Sequence, residues 1–288
     1  MRVALLVIVG LALAVAGCAD DKPNPNPNVV NPALLYPVLL DDRAEMASYV
    51  AALPPGMYQQ YEVKHVGKFH LDDIPGDGIK QWLRKGVMWE QHLVAHFRRH
   101  ARAATTVIDA GAHIGTHTLT FARLVGSEGR VYAFEPQKKL YRELVHNAKL
   151  NQLTNIVPLR FALGAQPGVI EMDRVSEQSE GSTAVGKGGD KAELRPIDSF
   201  GFTNVSLIKI DVEGFEDAVL EGARLTIARS RPVIIIEIMG GADHANPAPE
   251  VRKRIEVTKA KLGEMDYKVS HIEAHDYLAL PADRGAKP

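Results

Sequence analysis

From Thr105 onward, short apolar runs alternate with longer segments whose apolar positions recur at helical spacing. The runs predict strands over 106–110, 130–135, 156–161, 205–210 and 232–238. The segments between them predict helices over 115–125, 137–150, 215–229 and 250–262. Pro136 stands where a first-turn proline is favoured, and Gly126 where a helix stops. Alternation of this kind gives a parallel sheet with flanking helices. "VSLIKI" and "PVIIIEI" are the most apolar strands and belong at the centre, covered on both faces. Two more strands fall near 267–272 and 277–280. The connection between them is too short for a crossover helix, so the last strand runs antiparallel. Residues 164–195 are rich in Gly and Ser, with one strand-like stretch, "GVIEMD". Before residue 105 the pattern is looser. It predicts short strands around 61–71 and helices near 79–85 and 89–101.

Chemistry enters where the first strand of the alternating region ends. Thr105-Thr-Val-Ile-Asp109-Ala-Gly111-Ala-His113-Ile-Gly115 carries a strand into a glycine turn. Glu135 closes the next strand, twenty residues after Gly115. Glycines let the backbone approach a ligand closely, and an acid at the end of the second strand can accept hydrogen bonds from ribose hydroxyls. The pairing describes a nucleoside pocket. The dinucleotide fingerprint G-x-G-x-x-G is not met, because His113 takes the middle place. Asp109 would repel a phosphate but suits a cation. S-adenosylmethionine, an adenosine with a sulfonium and an ammonium and no phosphate, fits both points.

A third stretch is more specific. Val205-Ser-Leu-Ile-Lys209-Ile-Asp211-Val-Glu213-Gly214-Phe-Glu216-Asp-Ala-Val-Leu-Glu-Gly222 resembles the characteristic segment of the FkbM-type methyltransferase family. "VIDAGAHIG", "VYAFEP" and "RPVIIIE" match the same family, and "WLRKGVMWE", 82–90, is similar to the opening segment of many members. The resemblance covers about residues 60–280. It implies an α/β class I methyltransferase-like fold, with a mostly parallel sheet, flanking helices and an antiparallel last strand. It implies S-adenosylmethionine as donor and a hydroxyl of a glycan, lipid or secondary metabolite as acceptor.

Ligands in such sheets bind at the carboxyl ends of the strands, which gathers dispersed acids into one place. Asp109, Gly111, Ala112, His113, Gly115 and Glu135 are assigned to the donor pocket. Asp211, Glu213 and Glu237 are assigned to the acceptor side. Methyl transfer to a hydroxyl needs alignment and removal of a proton. Asp211 and Glu213 are the candidate catalytic carboxylates, with His113 as another base. The plain alternative is that Asp211 and Glu213 serve a helix N-terminus and that Glu237 pairs with a nearby cation. Asp211 and Glu237 also resemble the carboxylates with which catechol-type O-methyltransferases hold Mg²⁺, and oxygen ligands suit a hard cation. His92, His96 and His100 share a helical face, but without a His-Glu-x-x-His pattern they read as a solvated edge. Trp82 and Trp89 read as packing residues. Gly181-Ser182-Thr183 reads as a lid or as a flexible loop.

The chain has 288 residues, 45% of them hydrophobic, and a formal net charge of −1. That allows a sizeable core and gives no basic excess for a nucleic-acid partner. The N-terminus differs in kind. Arg2 precedes an apolar run over 3–16, too short for a transmembrane helix of about 20 residues but suited to a signal peptide. Val15-Ala16-Gly17-Cys18 resembles a bacterial lipobox, and Cys18 is the only cysteine. Alternating Pro and Asn follow, an extended tether. The organisation expected is a lipoprotein signal peptide (1–17), a tether (18–33), an N-terminal extension (34–104) and a methyltransferase domain (105–282). A lipidated Cys18 would anchor the chain to a membrane of the bacterial envelope, by its Asp20 the outer one; the alternative is the cytoplasm. Export conflicts with a donor made in the cytosol, so the second functional reading is a catalytically silent binding protein on a methyltransferase scaffold. A dehydrogenase is disfavoured by the glycine spacing.

Overall fold

The computed structural model describes residues 58–72, 77–173, 186, 188–238 and 247–285. The expected signal peptide, the tether, Cys18 and the 181–183 stretch lie outside them. The main sheet has seven strands: β3 (Thr106–Ala110), β4 (Arg130–Phe134), β5 (Ile156–Leu159), β9 (Val205–Ile210), β10 (Val233–Glu237), β11 (Tyr267–His271) and β12 (Asp276–Pro281). Their spatial order is β11-β12-β10-β9-β3-β4-β5. The five from β3 to β10 run parallel, and β12 lies antiparallel to both β10 and β11. The mostly parallel α/β sheet with an antiparallel last strand is thus the one expected, with β9 and β10 inside it.

Period-two alternation sends neighbouring residues to opposite cores. Ile108, Tyr132, Ile208 and Ile234 face one core. It is completed by Val219 and Leu220 from α5 (Glu216–Glu221), Ile227 from α6 (Arg224–Ser230) and Leu262 from α7 (Pro249–Glu264). Val107, Val131, Leu207 and Val233 face the other. That side is covered by Phe97 from α2 (Val94–His100), Leu119 from α3 (Thr118–Val125) and Leu144 from α4 (Lys138–Leu150).

The N-terminal extension packs on the second side. It forms the hairpin β1 (Tyr58–Val63)–β2 (Gly67–Asp72), helix α1 (Gly78–Arg84), a 3₁₀ turn (Gln91–Leu93) and α2. A buried charge network ties it to α4. Lys80 is fully buried between Asp72 at 2.8 Å and Glu143 at 3.0 Å, and the Tyr58 hydroxyl donates to Glu143 at 2.8 Å. Asn147 accepts from the His70 amide at 2.8 Å and donates to the Ile114 carbonyl at 2.9 Å. Buried charges persist only when paired in this way.

Two elements differ from the expected pattern. The helix expected over 215–229 is two, α5 and α6. A Cβ on Gly222 would lie 2.1 Å from the Gly164 carbonyl oxygen, so the chain bends where two backbones meet. The Asp198 carboxylate then accepts from the amides of Leu225 and Thr226, capping α6 from far along the chain. The strand expected over 156–161 also breaks. Its end becomes β6 (Phe161–Leu163), which joins β7 (Gly168–Asp173) and β8 (Gly188–Arg195) in a separate sheet of order β6-β8-β7. β8 was not visible in the glycine-rich sequence.

Candidate active site

Successive strands run outward from β3 in one direction through β4 and β5, and from β9 in the other through β10. The crevice between the ends of β3 and β9 is therefore the switch point where α/β sheets bind ligands. A cavity of about 330 Å³ opens there.

Gly111 forms its floor. Its φ is +84°, and a Cβ would sit 1.7 Å from the Asp211 carbonyl oxygen. The amides of Gly111 and Ala112 both donate to the Phe134 carbonyl, which fastens the turn to β4. Glu135 stands beside it, 4% exposed. One of its oxygens accepts from the His113 amide and the other from the Gln137 amide, each at 2.9 Å. Burial pushes the Glu135 carboxyl up to about 8, against the pull of the two amide donors. His113 adopts φ +52°, and its Nε2 lies 3.9 Å from Asp77. Phe161, Ala162, Leu163, Ile170 and Met172 from the small sheet form the apolar wall.

Gly111, His113 and Glu135 thus line the cavity. The other three donor-pocket residues do not. Ala112 packs into the second core, and a Cβ on Gly115 would lie 2.8 Å from Leu144 Cδ1. Asp109 is 1% exposed, with one oxygen accepting from the Thr118 hydroxyl at 2.5 Å. In the sheet register Asp109 stands directly opposite Lys209. Its charge faces that lysine rather than a ligand, because residue 109 points into the second core along with Val107.

Asp211, Glu213 and Glu237 do line the cavity. Lys209 Nζ contacts Asp211 Oδ2 at 2.8 Å, its side chain 3% exposed. Burial opposes both charges, yet attraction wins: Lys209 is raised and Asp211 is lowered to about 2. Glu237 hydrogen-bonds Asp211, and burial with the Asp211 charge raises it to about 11. At neutral pH Asp211 is an anion held by an ammonium, and Glu237 carries a proton. Burial and the charge of Asp211 bring Glu213 to about 7.

One acid was missed. Glu90, from the N-terminal extension, lines the same cavity, as do Trp89 and Ile79. Carboxylate oxygens of Glu90, Asp211 and Glu237 lie within 4.8 Å of one another, the only group among the described residues with metal-ligand spacing. Against the Mg²⁺ expected on Asp211 and Glu237 stands Lys209, which already supplies a cation to Asp211 at 2.8 Å. His92 also departs from the solvated edge expected. Its Nε2 lies 2.7 Å from Asp276 on β12, while His96 and His100 stack on each other. The sole sequence signal near Glu90 was the likeness of 82–90 to an opening segment.

The methyltransferase FkbM domain matches residues 109–278. This chain belongs to the FkbM methyltransferase family. It is an S-adenosylmethionine-dependent methyltransferase. Among curated proteins the hexuronic acid methyltransferase AglP of Haloferax volcanii is 26% identical over 193 residues, 64% of this chain and 77% of that protein. Among solved structures, an FkbM methyltransferase from Methylobacillus flagellatus is 18% identical with a TM-score of 0.43, over 65% of this chain and 50% of that one. A putative rRNA-methylase from Clostridium thermocellum is 13% identical with a TM-score of 0.45, over 65% and 90%.

For the FkbM domain the donor site has a direct test. Glu135, on this cavity at the end of β4, is the acid expected to accept from ribose hydroxyls, so Glu135→Ala should weaken S-adenosylmethionine binding by roughly 1.5–3 kcal/mol. Because the carboxyl rests near 8, binding a cation should release its proton. Wild-type affinity should therefore climb as pH rises toward about 8 and then level off. Calorimetry in buffers of different ionisation enthalpy reads both effects. Unchanged affinity in the variant would remove Glu135 from the site.

Proposed function

We propose that this protein transfers a methyl group from S-adenosylmethionine to a hydroxyl of a glycan. The observation that carries this reading is the carboxyl lining of the cavity. Asp77, Glu90, Glu135, Asp211, Glu213 and Glu237 line it, and among the described residues no lysine or arginine does. With Asp211 balanced by Lys209 and the Glu135 carboxyl raised to about 8, such a wall offers hydrogen-bond acceptors to a cationic donor and to an acceptor hydroxyl. The likeness to a hexuronic acid methyltransferase supports a saccharide acceptor.

S-adenosylmethionine, when bound, supplies a methyl group already activated by the sulfonium. Gly111, His113 and Glu135 are the residues suited to hold it. What remains for the protein is alignment and proton removal. The Lys209–Asp211 pair supports a reaction without a metal, so EDTA should leave it intact. The test is calorimetry of the chain lacking its first 17 residues, followed by transfer of labelled methyl from S-adenosylmethionine to envelope glycans. Binding of NAD in place of the methyl donor, or label on carboxyl groups alone, would overturn the reading.

We also propose an envelope location, from Val15-Ala16-Gly17-Cys18 and the Pro/Asn tether. The mature chain should begin at an acylated Cys18 and sediment with membranes. One acyl chain anchors only marginally, so more than one is expected on the N-terminal peptide. Cys18→Ser should leave precursor or a soluble form with unchanged folding. Mass spectrometry showing Met1 intact and Cys18 unmodified would instead place the chain where the donor is made.

A further inference from the structure

Asp77 reaches the cavity from the N-terminal extension, outside the stretch that the FkbM domain matches. It is 1% exposed. Its Oδ1 accepts from the Lys80 amide at 2.8 Å and so caps α1. That contact fixes the carboxylate, because Lys80 is itself held by Asp72 and Glu143. The second oxygen, Oδ2, is buried and has no hydrogen-bond partner among the described residues. The Nε2 of His113 lies 3.9 Å from it, too far for a hydrogen bond. A buried carboxylate oxygen in that condition is costly until something supplies a hydrogen bond and a positive charge.

Among the described residues on the cavity, two carboxylate oxygens are buried in this way, Asp77 Oδ2 and Glu90 Oε2. Their surroundings differ. Glu90 is grouped with Asp211 and Glu237, on the side assigned to the acceptor. Asp77 stands next to His113, whose amide donates to Glu135. It therefore belongs with Gly111, His113 and Glu135, the residues suited to hold the donor.

The donor has two positive centres. Its sulfonium has no N–H or O–H to give. The α-ammonium of its amino-acid end has three N–H donors, as a lysine ammonium does. Of the two, only the ammonium supplies both the charge and the hydrogen bond that Asp77 Oδ2 lacks. We propose that Asp77 binds the α-ammonium of S-adenosylmethionine, an inference that rests on the donor site lying at this cavity. The two donor-side acids meet at His113, Glu135 at its amide and Asp77 beside its ring. Glu135 serves the ribose, and Asp77 serves the amino-acid end. A nucleoside ligand without an ammonium leaves Asp77 uncompensated, so the same carboxylate selects against it.

Calorimetry at neutral pH tests this with S-adenosylhomocysteine and its deamino analogue, in which hydrogen replaces the α-amino group and the α-carboxylate is kept. Wild type should prefer S-adenosylhomocysteine by about ten- to hundredfold, the range of a hydrogen bond to a charged group. Asp77→Asn keeps a capping oxygen for the Lys80 amide but loses the charge. It should bind the analogue at least as tightly as wild type does, and its preference should fall to about threefold or less. Glu90→Gln should keep the full preference. Should Asp77→Asn fold poorly, Asp77→Ser, which also caps a helix, should show the same loss. A wild-type preference below about threefold overturns the assignment, whatever the variants do. So does a full preference in a folded Asp77 variant, a preference that passes with Glu90, or equal weakening of both ligands by Asp77→Asn. In each of these cases the ligands still bind and the donor site stands. Binding of neither ligand by wild type overturns the donor site as well.

Discussion

Gly111→Ala is expected to abolish measurable S-adenosylmethionine binding and to lower stability by roughly 2–5 kcal/mol, combining the cost of a left-handed alanine with overpacking. The new methyl would lie 1.7 Å from a backbone oxygen, that of Asp211, at φ +84°. Neither side can yield cheaply. Gly111 is bonded to the Phe134 carbonyl, and the Asp211 amide donates to Ala110 at 2.9 Å. Relief requires the ends of β3 and β9 to part, and both the donor turn and the acid group sit on those ends. Denaturant unfolding and donor titration measure the two effects. Wild-type affinity in a folded variant would show that the turn does not form the donor site.

Lys209→Met should cost about 3–5 kcal/mol at neutral pH, the usual penalty for stranding the partners of a buried cation. Its signature is in the pH dependence. In the wild type Asp211 rests near 2, below its ordinary value, so its pairing contributes full stability above the ordinary aspartate range. That contribution is lost only as pH falls toward 2. Without Lys209 burial meets its main opponent no longer, so Asp211 rises despite the Glu237 hydrogen bond, and Asp109 rises further than it already does. Both then bind protons more tightly folded than unfolded, so the variant should be most stable in acid and weaken as pH rises through neutrality. Unfolding curves for the two proteins at acid, neutral and alkaline pH should diverge with rising pH. A constant gap would show that Lys209 does not compensate these acids.

The donor half of the site was legible because it is local. β3, the glycine turn, β4 and Glu135 fall within one short stretch, and in a parallel sheet ligands meet the carboxyl ends of the strands. The same holds for Asp211 after β9 and Glu237 at the end of β10. Asp109 was legible as an acid but not in its orientation. One residue's difference in strand phase separates a cavity wall from a buried partner of Lys209.

Residue order and periodicity by themselves determined the α/β class, the antiparallel last strand, the nucleoside-type turn and the candidate acids, since each depends on neighbours within a few residues or on which face of an element is apolar. Tertiary structure alone decided the rest. Gly222 meets Gly164 and splits a helix; β8 pairs with β6 and β7 to wall the cavity; His92 reaches Asp276 across 184 positions. Glu90 joins Asp211 and Glu237 because the extension docks through Lys80 and Asn147 onto α4. Such contacts join segments whose own patterns record burial but not the partner, and partner choice arises only when the packed faces come together.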